Sequence, residues 1–131
     1  MSDAARPLPV VVLISGTGSN LQAIAAQAIA GTLPVTIRAV VSDRADSAGF
    51  AWARDAGFTT VALSPRDFED RAAYDRALAE AVLRFEPGLV VLAGFMRILG
   101  PEFVDRFTGR LVNIHPSLLP AYRGLHTHRR V

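Results

Sequence analysis

The 131-residue chain contains no cysteine, which excludes disulfide bridges, thiolate metal sites and a cysteine nucleophile. It also contains no lysine, so all fourteen of its basic residues are arginines. Its longest apolar runs have the length of a strand, as in Val10–Ile14, whereas a membrane span needs roughly 18 residues. The N-terminal residues carry no apolar segment of the signal-peptide type. These absences favour a cytoplasmic protein that does not associate with membranes.

The chain has only a small excess of positive charge, because fourteen basic residues face twelve acidic ones and the net charge is +2. The arginines are scattered along the chain and are not clustered with aromatic residues, which disfavours nucleic-acid binding. Hydrophobic residues make up 50% of the chain, and this composition is typical of a folded protein. The length fits one domain, and we expect residues 1–131 to belong to a single domain.

Apolar, β-branched runs alternate with segments of helical period, a pattern that predicts an α/β fold. We expect a Rossmann-like, open, mainly parallel sheet of about five strands with helices on both faces. The predicted strands are Pro9–Ile14, Val35–Val41, Thr59–Leu63, Leu89–Ala93 and Leu111–Ile114. One predicted helix follows the turn after the first strand, and three more cover about residues 45–56, 67–85 and 101–106. Ser19 and Gln22 match a capping box at the start of the first helix, and Gly31 marks its end.

Three unusual segments each follow a predicted strand directly: residues 15–20, 94–99 and 113–124. The carboxyl ends of parallel strands lie at one edge of a sheet, and open α/β sheets bind their ligands there. We therefore expect the three segments to converge on one cleft.

The first segment, Ser15–Asn20, is a glycine-rich turn that leads into a helix. Backbone N–H groups and the positive end of the helix dipole suit a phosphate at such a turn. Two alternatives remain open at this point. One is a tight turn without a ligand. The other is a dinucleotide site built on Gly16, Gly18 and Asp43, although Leu21 stands where the third glycine of that motif belongs.

The third segment begins with Asn113 and His115, which point to the same side of an extended strand. An amide donor beside an imidazole suits acyl transfer, because the amide polarises a carbonyl oxygen and the imidazole exchanges protons near neutral pH. The alternative is a strand end whose polar groups only satisfy the backbone. His126 and His128 are better interpreted as part of a surface tail than as metal ligands.

The second segment, Gly94–Leu99, places apolar side chains and Arg97 after a buried strand. These residues suit a pocket for a flat heteroaromatic ring. For Phe95, Ile98 and Leu99 taken singly, ordinary core packing is the competing interpretation.

Together these motifs resemble the family of phosphoribosylglycinamide formyltransferases, over about residues 10–128. The matching segments are Ser15–Ile24, Val91–Leu99, Asn113–Pro120 and Tyr122–His128. The resemblance implies transfer of a formyl group from 10-formyltetrahydrofolate to the amino group of 5-phosphoribosylglycinamide, in purine biosynthesis and without a metal. Methionyl-tRNA formyltransferase and formyltetrahydrofolate hydrolase share the Asn-x-His pair, but the phosphate turn favours the purine enzyme over both. A dinucleotide-binding oxidoreductase domain and a non-catalytic phosphoribosyl-binding fragment are the alternatives from other classes.

The resemblance also implies roles for particular residues. Asn113 would bind the formyl oxygen, and His115 would act as acid and base. The residues expected at the substrate phosphate are Thr17, Gly18, Ser19 and Asn20. The residues expected at the folate are Arg71, Met96, Arg97, Ile98, Leu99 and Asn113. Arg71 has an alternative interpretation as the solvated partner of Asp75, four residues further along a helix.

The resemblance further implies a catalytic aspartate a few dozen residues after the histidine, and it is compatible with a homodimer. No acidic residue follows Asp105 in this chain. We therefore expect the chain to be the N-terminal part of a longer enzyme, with its C-terminal part missing. By itself it should have little or no transformylase activity.

Overall fold

The computed structural model describes residues 7–114, in which strands and helices alternate as the sequence predicts. The strands of this part are β1 (Leu8–Ile14), β2 (Val35–Ser42), β3 (Thr60–Ala62), β4 (Leu89–Ala93) and β5 (Leu111–Ile114). Its α-helices are α1 (Ser19–Ala30), α2 (Ala48–Asp55), α3 (Arg71–Leu83) and α4 (Pro101–Val104), and short 3-10 helices lie at Pro65–Asp67 and Asp105–Phe107. None of the helices in residues 7–114 is long and apolar enough to span a bilayer.

Within these residues the strands form one sheet in the order β3-β2-β1-β4-β5, and each neighbouring pair is parallel. The prediction of an open parallel sheet is therefore confirmed. The chain moves from β1 through β2 to β3 on one side and then crosses to β4 and β5 on the other. Strand order reverses between β1 and β4, which is the position where sheets of this kind open a crevice for ligands.

Helices cover both faces of the sheet, as predicted, and the buried side chains form two clusters. One face holds Val11 and Leu13 of β1 against α3 and the segment around α4, through Tyr74, Leu78, Val82, Phe103 and Phe107. The other face holds Val10, Val12 and Ile14 of β1 against α1 and α2, through Leu21, Ile24 and Ala53. The central strand is apolar on both faces because both are covered.

The start of α1 differs from the sequence prediction. The capping-box prediction is wrong, because Ser19 is already the first helical residue and Gly18 takes the N-cap position. Gly18 has a φ of 78°, and no side chain caps this helix. A left-handed glycine brings the chain into the helix one residue earlier than a serine cap would. Gly31 ends the helix as predicted, with a φ of 81°.

Two further helices begin later than predicted, because side-chain caps fix their first turns. The Ser47 hydroxyl accepts a hydrogen bond from the Phe50 N–H at 3.2 Å, so α2 begins at Ala48. The Asp70 carboxylate accepts from the Ala73 N–H at 2.8 Å, so α3 begins at Arg71. The Pro65–Asp67 3-10 helix occupies the residues where the long helix was expected to start.

Candidate functional site

The loops that follow β1 and β4 lie side by side at the point where strand order reverses. We call residues 15–20 the β1 loop and residues 94–100 the β4 loop. The Met96 N–H of the β4 loop donates a hydrogen bond to the Ser15 hydroxyl oxygen of the β1 loop at 2.7 Å. Ser15 is buried, so this bond joins the two loops beneath the surface. The expected convergence of the first two segments is confirmed.

The β1 loop is held by close backbone packing against the start of α2. The Gly49 N–H donates to the Gly16 carbonyl oxygen at 2.9 Å. A Cβ atom on Gly18 would lie 2.8 Å from the Gly49 Cα, and a Cβ on Gly49 would lie 2.9 Å from the Gly16 oxygen. Neither position has room for a side chain, so both glycines are required by this contact.

A small cavity of about 140 Å³ lies over the β1 loop and the start of α1. Its lining includes the four residues expected at a phosphate, namely Thr17, Gly18, Ser19 and Asn20. The first-turn N–H groups of α1 have no acceptor within the helix, because the ladder begins with the Gln22 N–H donating to the Gly18 oxygen at 2.8 Å. The cavity therefore combines free donors with the positive end of a helix, which suits an anion.

Asn20 contributes to this cavity in a way that the sequence did not reveal. It is buried, and its side-chain amide donates to the Ile114 carbonyl oxygen at 3.4 Å. Its side chain is thus directed to the end of β5. Its backbone N–H lies in the first turn of α1, whose N–H groups have no acceptor within the helix.

A larger cavity of about 440 Å³ lies between the β4 loop and the start of α3. Its lining brings together four of the residues expected at the folate, namely Arg71, Met96, Arg97 and Ile98. Met96 lines the small cavity as well, so the two cavities meet at its side chain. A ligand in one cavity would lie next to a ligand in the other.

Arg97 is held by a carboxylate that the sequence suggested for a different purpose. Its Nε–H donates to Asp43 Oδ2 at 2.8 Å, and the Asp43 side chain is only 1% exposed. Asp43 follows β2 directly, where the dinucleotide alternative needs an acid that reaches a ribose. The bond to Arg97 competes with a ribose for this carboxylate, which disfavours that alternative.

Asp75 holds the far end of the β4 loop. Its Oδ2 accepts a hydrogen bond from the Gly100 N–H at 2.8 Å, and the residue is 1% exposed. The solvated Arg71–Asp75 pair, the alternative interpretation of Arg71, is therefore not formed. No motif marked Asp75 in the sequence, because only the fold brings α3 next to Gly100.

Tyr74 completes the wall between α3 and the β4 loop. Its hydroxyl donates to the Leu63 carbonyl oxygen at 3.0 Å. Burial raises the pKa of this phenol well above its usual value, and the nearby Asp43 charge raises it further. Tyr74 is therefore a neutral hydrogen-bond donor near the large cavity.

The remaining site predictions have different outcomes. Leu99 packs against the core cluster around α3 and lines neither of the two cavities. Asn113 is exposed near the end of β5 and pairs in register with Leu92 of β4, next to the start of the β4 loop, but it too lines neither cavity. His115 lies outside the described residues, as do His126 and His128.

The fold is a parallel α/β sheet with two adjoining cavities at its switch point. The chain belongs to the formyl transferase family, whose sequence model matches residues 8–131.

The phosphoribosylglycinamide formyltransferase of Escherichia coli K12 is 54% identical to this chain over 121 residues. That alignment covers 92% of this chain and 57% of the relative, so the chain spans little more than half of the bacterial enzyme. A bovine protein, the trifunctional purine biosynthetic protein adenosine-3, is 43% identical over 122 residues, which are 93% of this chain and 12% of that protein.

Solved structures of phosphoribosylglycinamide formyltransferases also match this chain. The phosphoribosylglycinamide formyltransferase of Coxiella burnetii superposes with a TM-score of 0.80 at 50% identity, covering 95% of this chain and 59% of that chain. The glycinamide ribonucleotide transformylase 1 of Symbiobacterium toebii also has a TM-score of 0.80, at 43% identity, covering 95% of this chain and 58% of that one. The expected formyltransferase fold is confirmed.

Proposed function

We propose that the protein transfers a formyl group from 10-formyltetrahydrofolate to the amino group of 5-phosphoribosylglycinamide. The observation that carries the proposal is the contact between the two cavities at Met96. Direct transfer requires donor and acceptor to be bound within reach of one another. Two adjoining cavities, one suited to an anion and one large and partly apolar, meet that requirement.

The β1 loop is the proposed site for the ribonucleotide phosphate. The free N–H groups at the start of α1 would donate to the phosphate oxygens, and the tight packing of Gly18 against Gly49 keeps them in place. The proposed ligands are Thr17, Gly18, Ser19 and Asn20, the last through its backbone.

The larger cavity is the proposed site for the folate. Met96 and Ile98, each 75% exposed, would cover the ring system, and burying them against it would release water from apolar surface. Arg71 and Arg97 would supply donors at the cavity wall. Both proposed partners are small molecules, and we place the reaction in the cytoplasm.

Asn113 and His115 are the proposed catalytic residues. The Asn113 amide would donate to the formyl oxygen, where negative charge develops as the amine attacks. The His115 imidazole would take the proton that leaves the attacking amine and return it to the folate nitrogen, whose bond to the formyl carbon breaks as the formyl group is transferred. The position of Asn113 near the carboxyl end of β5, in register with β4, supports this assignment.

Calorimetric titration of the natural protein that carries this chain tests the proposal. We expect binding of 5-phosphoribosylglycinamide and of tetrahydrofolate, and no binding of NAD. Binding of NAD alone would overturn the proposal in favour of a dinucleotide domain. For the chemistry, His115→Ala should lower kcat by a factor of about 100 or more, the usual size of general acid and base catalysis. An unchanged kcat would reject the role of His115.

A further inference from the structure

The β4 loop gains little of its shape from its own cavity-facing side chains. Met96 and Ile98 are each 75% exposed and face the cavities instead of the core. Phe95 and Leu99 of the same loop pack against the core cluster around α3, so the exposed middle of the loop, from Met96 to Ile98, is the part that needs other contacts to keep one conformation. The contacts that hold this loop therefore decide the shape of the large cavity.

Three buried side chains from distant parts of the chain accept hydrogen bonds from the β4 loop. Ser15 accepts from the Met96 N–H at 2.7 Å, Asp43 from the Arg97 Nε–H at 2.8 Å, and Asp75 from the Gly100 N–H at 2.8 Å. Counted over the whole residue, Ser15, Asp43 and Asp75 are 4%, 2% and 1% exposed. They are spaced along the loop, so both its backbone and its one arginine are held.

Two of the three acceptors are buried carboxylates, which are costly to remove from water. Each also keeps one oxygen, Asp43 Oδ1 and Asp75 Oδ1, without a hydrogen-bond partner among residues 7–114. Removing one of these carboxylates alone would leave its donor, the Arg97 Nε–H or the Gly100 N–H, without this acceptor, so each carboxylate and the loop group that it holds act as a pair. The same burial that makes the carboxylates costly makes their bonds to the loop strong.

The bond to Asp43 also sets which nitrogens Arg97 offers to a ligand. Only Nε donates a hydrogen bond, and within the described part of the chain Nη1 and Nη2 have no acceptor. A guanidinium group is planar, so fixing one edge fixes the direction of the other. The free edge belongs to a side chain that lines both the cavity beside α3 and a further cavity of about 720 Å³ next to Asp43.

We propose that Ser15, Asp43 and Asp75 are positioning residues that hold the β4 loop, and through it Arg97, in the shape that receives the folate. This inference rests on the proposed function. Asp43 acts through Arg97, whereas Ser15 and Asp75 act through the loop backbone.

A double-mutant cycle in the natural protein that carries this chain tests the link between Asp43 and Arg97. We expect Asp43→Asn to weaken tetrahydrofolate binding about tenfold, because the Arg97 guanidinium then bonds a neutral amide oxygen instead of a carboxylate and the ion pair is lost. Arg97→Ala should weaken binding at least as much, and the double variant no more than Arg97→Ala alone. Asp55→Asn is the matched control, since that exposed carboxylate lies on α2 and its one ion-pair partner within residues 7–114 is Arg54, at 3.9 Å. Wild-type affinity in Asp43→Asn, or additive losses in the double variant, would overturn the inference.

Amide hydrogen exchange of the unliganded protein tests the inference without any ligand. In Asp75→Ala the Gly100 amide should exchange about tenfold faster or more, while Asp75→Asn, which keeps a neutral acceptor, should give a smaller increase. If Asp75→Ala does not fold, the exchange rate of the Gly100 amide in Asp75→Asn tests the inference by itself. An unchanged Gly100 amide in the folded variants would overturn the role of Asp75. If wild-type protein does not bind tetrahydrofolate, the proposed function fails, and the exchange data still decide whether the loop is held as inferred.

Discussion

The β1 loop and the β4 loop lie side by side, yet they are held in different ways. The β1 loop is fixed by backbone packed on backbone, with Gly18 and Gly49 in contact and the Gly49 N–H bonded to Gly16. The β4 loop is fixed by hydrogen bonds to the buried side chains of Ser15, Asp43 and Asp75. The first loop takes its shape from backbone atoms in direct contact, and the second takes it from hydrogen bonds to side chains. In both loops the partners are far away in the sequence.

This difference implies different responses to substitution. A backbone contact has no room for an added atom, so a single methyl group should disturb the β1 loop strongly. A hydrogen-bonded loop can lose one bond and keep the others, so single changes at the β4 loop should have smaller effects on stability. The three predictions below test that contrast, from the largest expected effect to the smallest.

Gly49→Ala should have the largest effect. The added Cβ would lie 2.8 Å from Ile14 Cδ1 and 2.9 Å from both the Gly16 oxygen and the Gly18 Cα. Since two of these atoms are backbone, we expect a loss of about 3 kcal/mol in the free energy of unfolding, measured by urea titration. Gly16→Ala is the control, because a Cβ there meets no atom within 4 Å. Equal stability of the two variants would show that backbone packing does not hold the β1 loop.

The same contrast explains how much of the site could be predicted from the sequence. The strand pattern is local, so the order of elements could be predicted from it, and the four residues proposed at the phosphate lie together in the lining of the small cavity. The sequence indicates Asp43 only as a candidate ribose ligand of the dinucleotide alternative, because it does not show that Arg97, 54 positions later, reaches the carboxylate. It indicates Asp75 only as a solvated partner of Arg71, because it does not show that Gly100 lies against Asp75. Buried polar pairs of high sequence separation are visible only once the fold is known.

The errors at helix ends arise because backbone packing and side-chain caps, and not apolar periodicity alone, determine where a helix begins. The predicted capping box at Ser19 fails because Gly18 adopts a left-handed conformation and packs against Gly49, which no local rule anticipates. The caps at Ser47 and Asp70, in contrast, follow an ordinary preference for side-chain oxygen at the N-cap. Either residue could have been found by weighing caps ahead of apolar periodicity.

Ser15→Ala should have an intermediate effect, because it removes the bond that joins the two loops. The Met96 N–H would lose its acceptor at a partly buried position, and we expect a loss of about 1.5 kcal/mol in unfolding free energy. Ser19→Ala is the matched control, since no side chain caps α1 and Ser19 is exposed. Faster exchange of the Met96 amide in Ser15→Ala alone would locate the effect at the β4 loop. A loss as large as that of Gly49→Ala would remove the distinction between the two loops.

Tyr74→Phe should have the smallest effect at neutral pH, a loss of about 1 kcal/mol for the hydrogen bond to the Leu63 oxygen. Its diagnostic feature is the dependence of stability on pH. Burial raises the pKa of Tyr74 in the folded protein, whereas in the unfolded chain the phenol ionises near its ordinary value of about 10. The contribution of neutral Tyr74 is therefore complete below pH 10 and is lost as pH rises beyond it, because only the unfolded state then releases the proton.

Urea titrations from pH 8 to pH 11 measure this difference directly. Wild-type stability should fall more steeply above pH 10 than that of Tyr74→Phe, so the gap between the two proteins should narrow as pH rises. Groups other than Tyr74 titrate in both proteins and cancel in the comparison. Parallel curves over the whole range would mean that Tyr74 ionises equally well in the folded state. In that case the wall between α3 and the β4 loop would be open to water, and the buried acceptors Asp43 and Asp75 could not hold the loop as strongly as their burial implies.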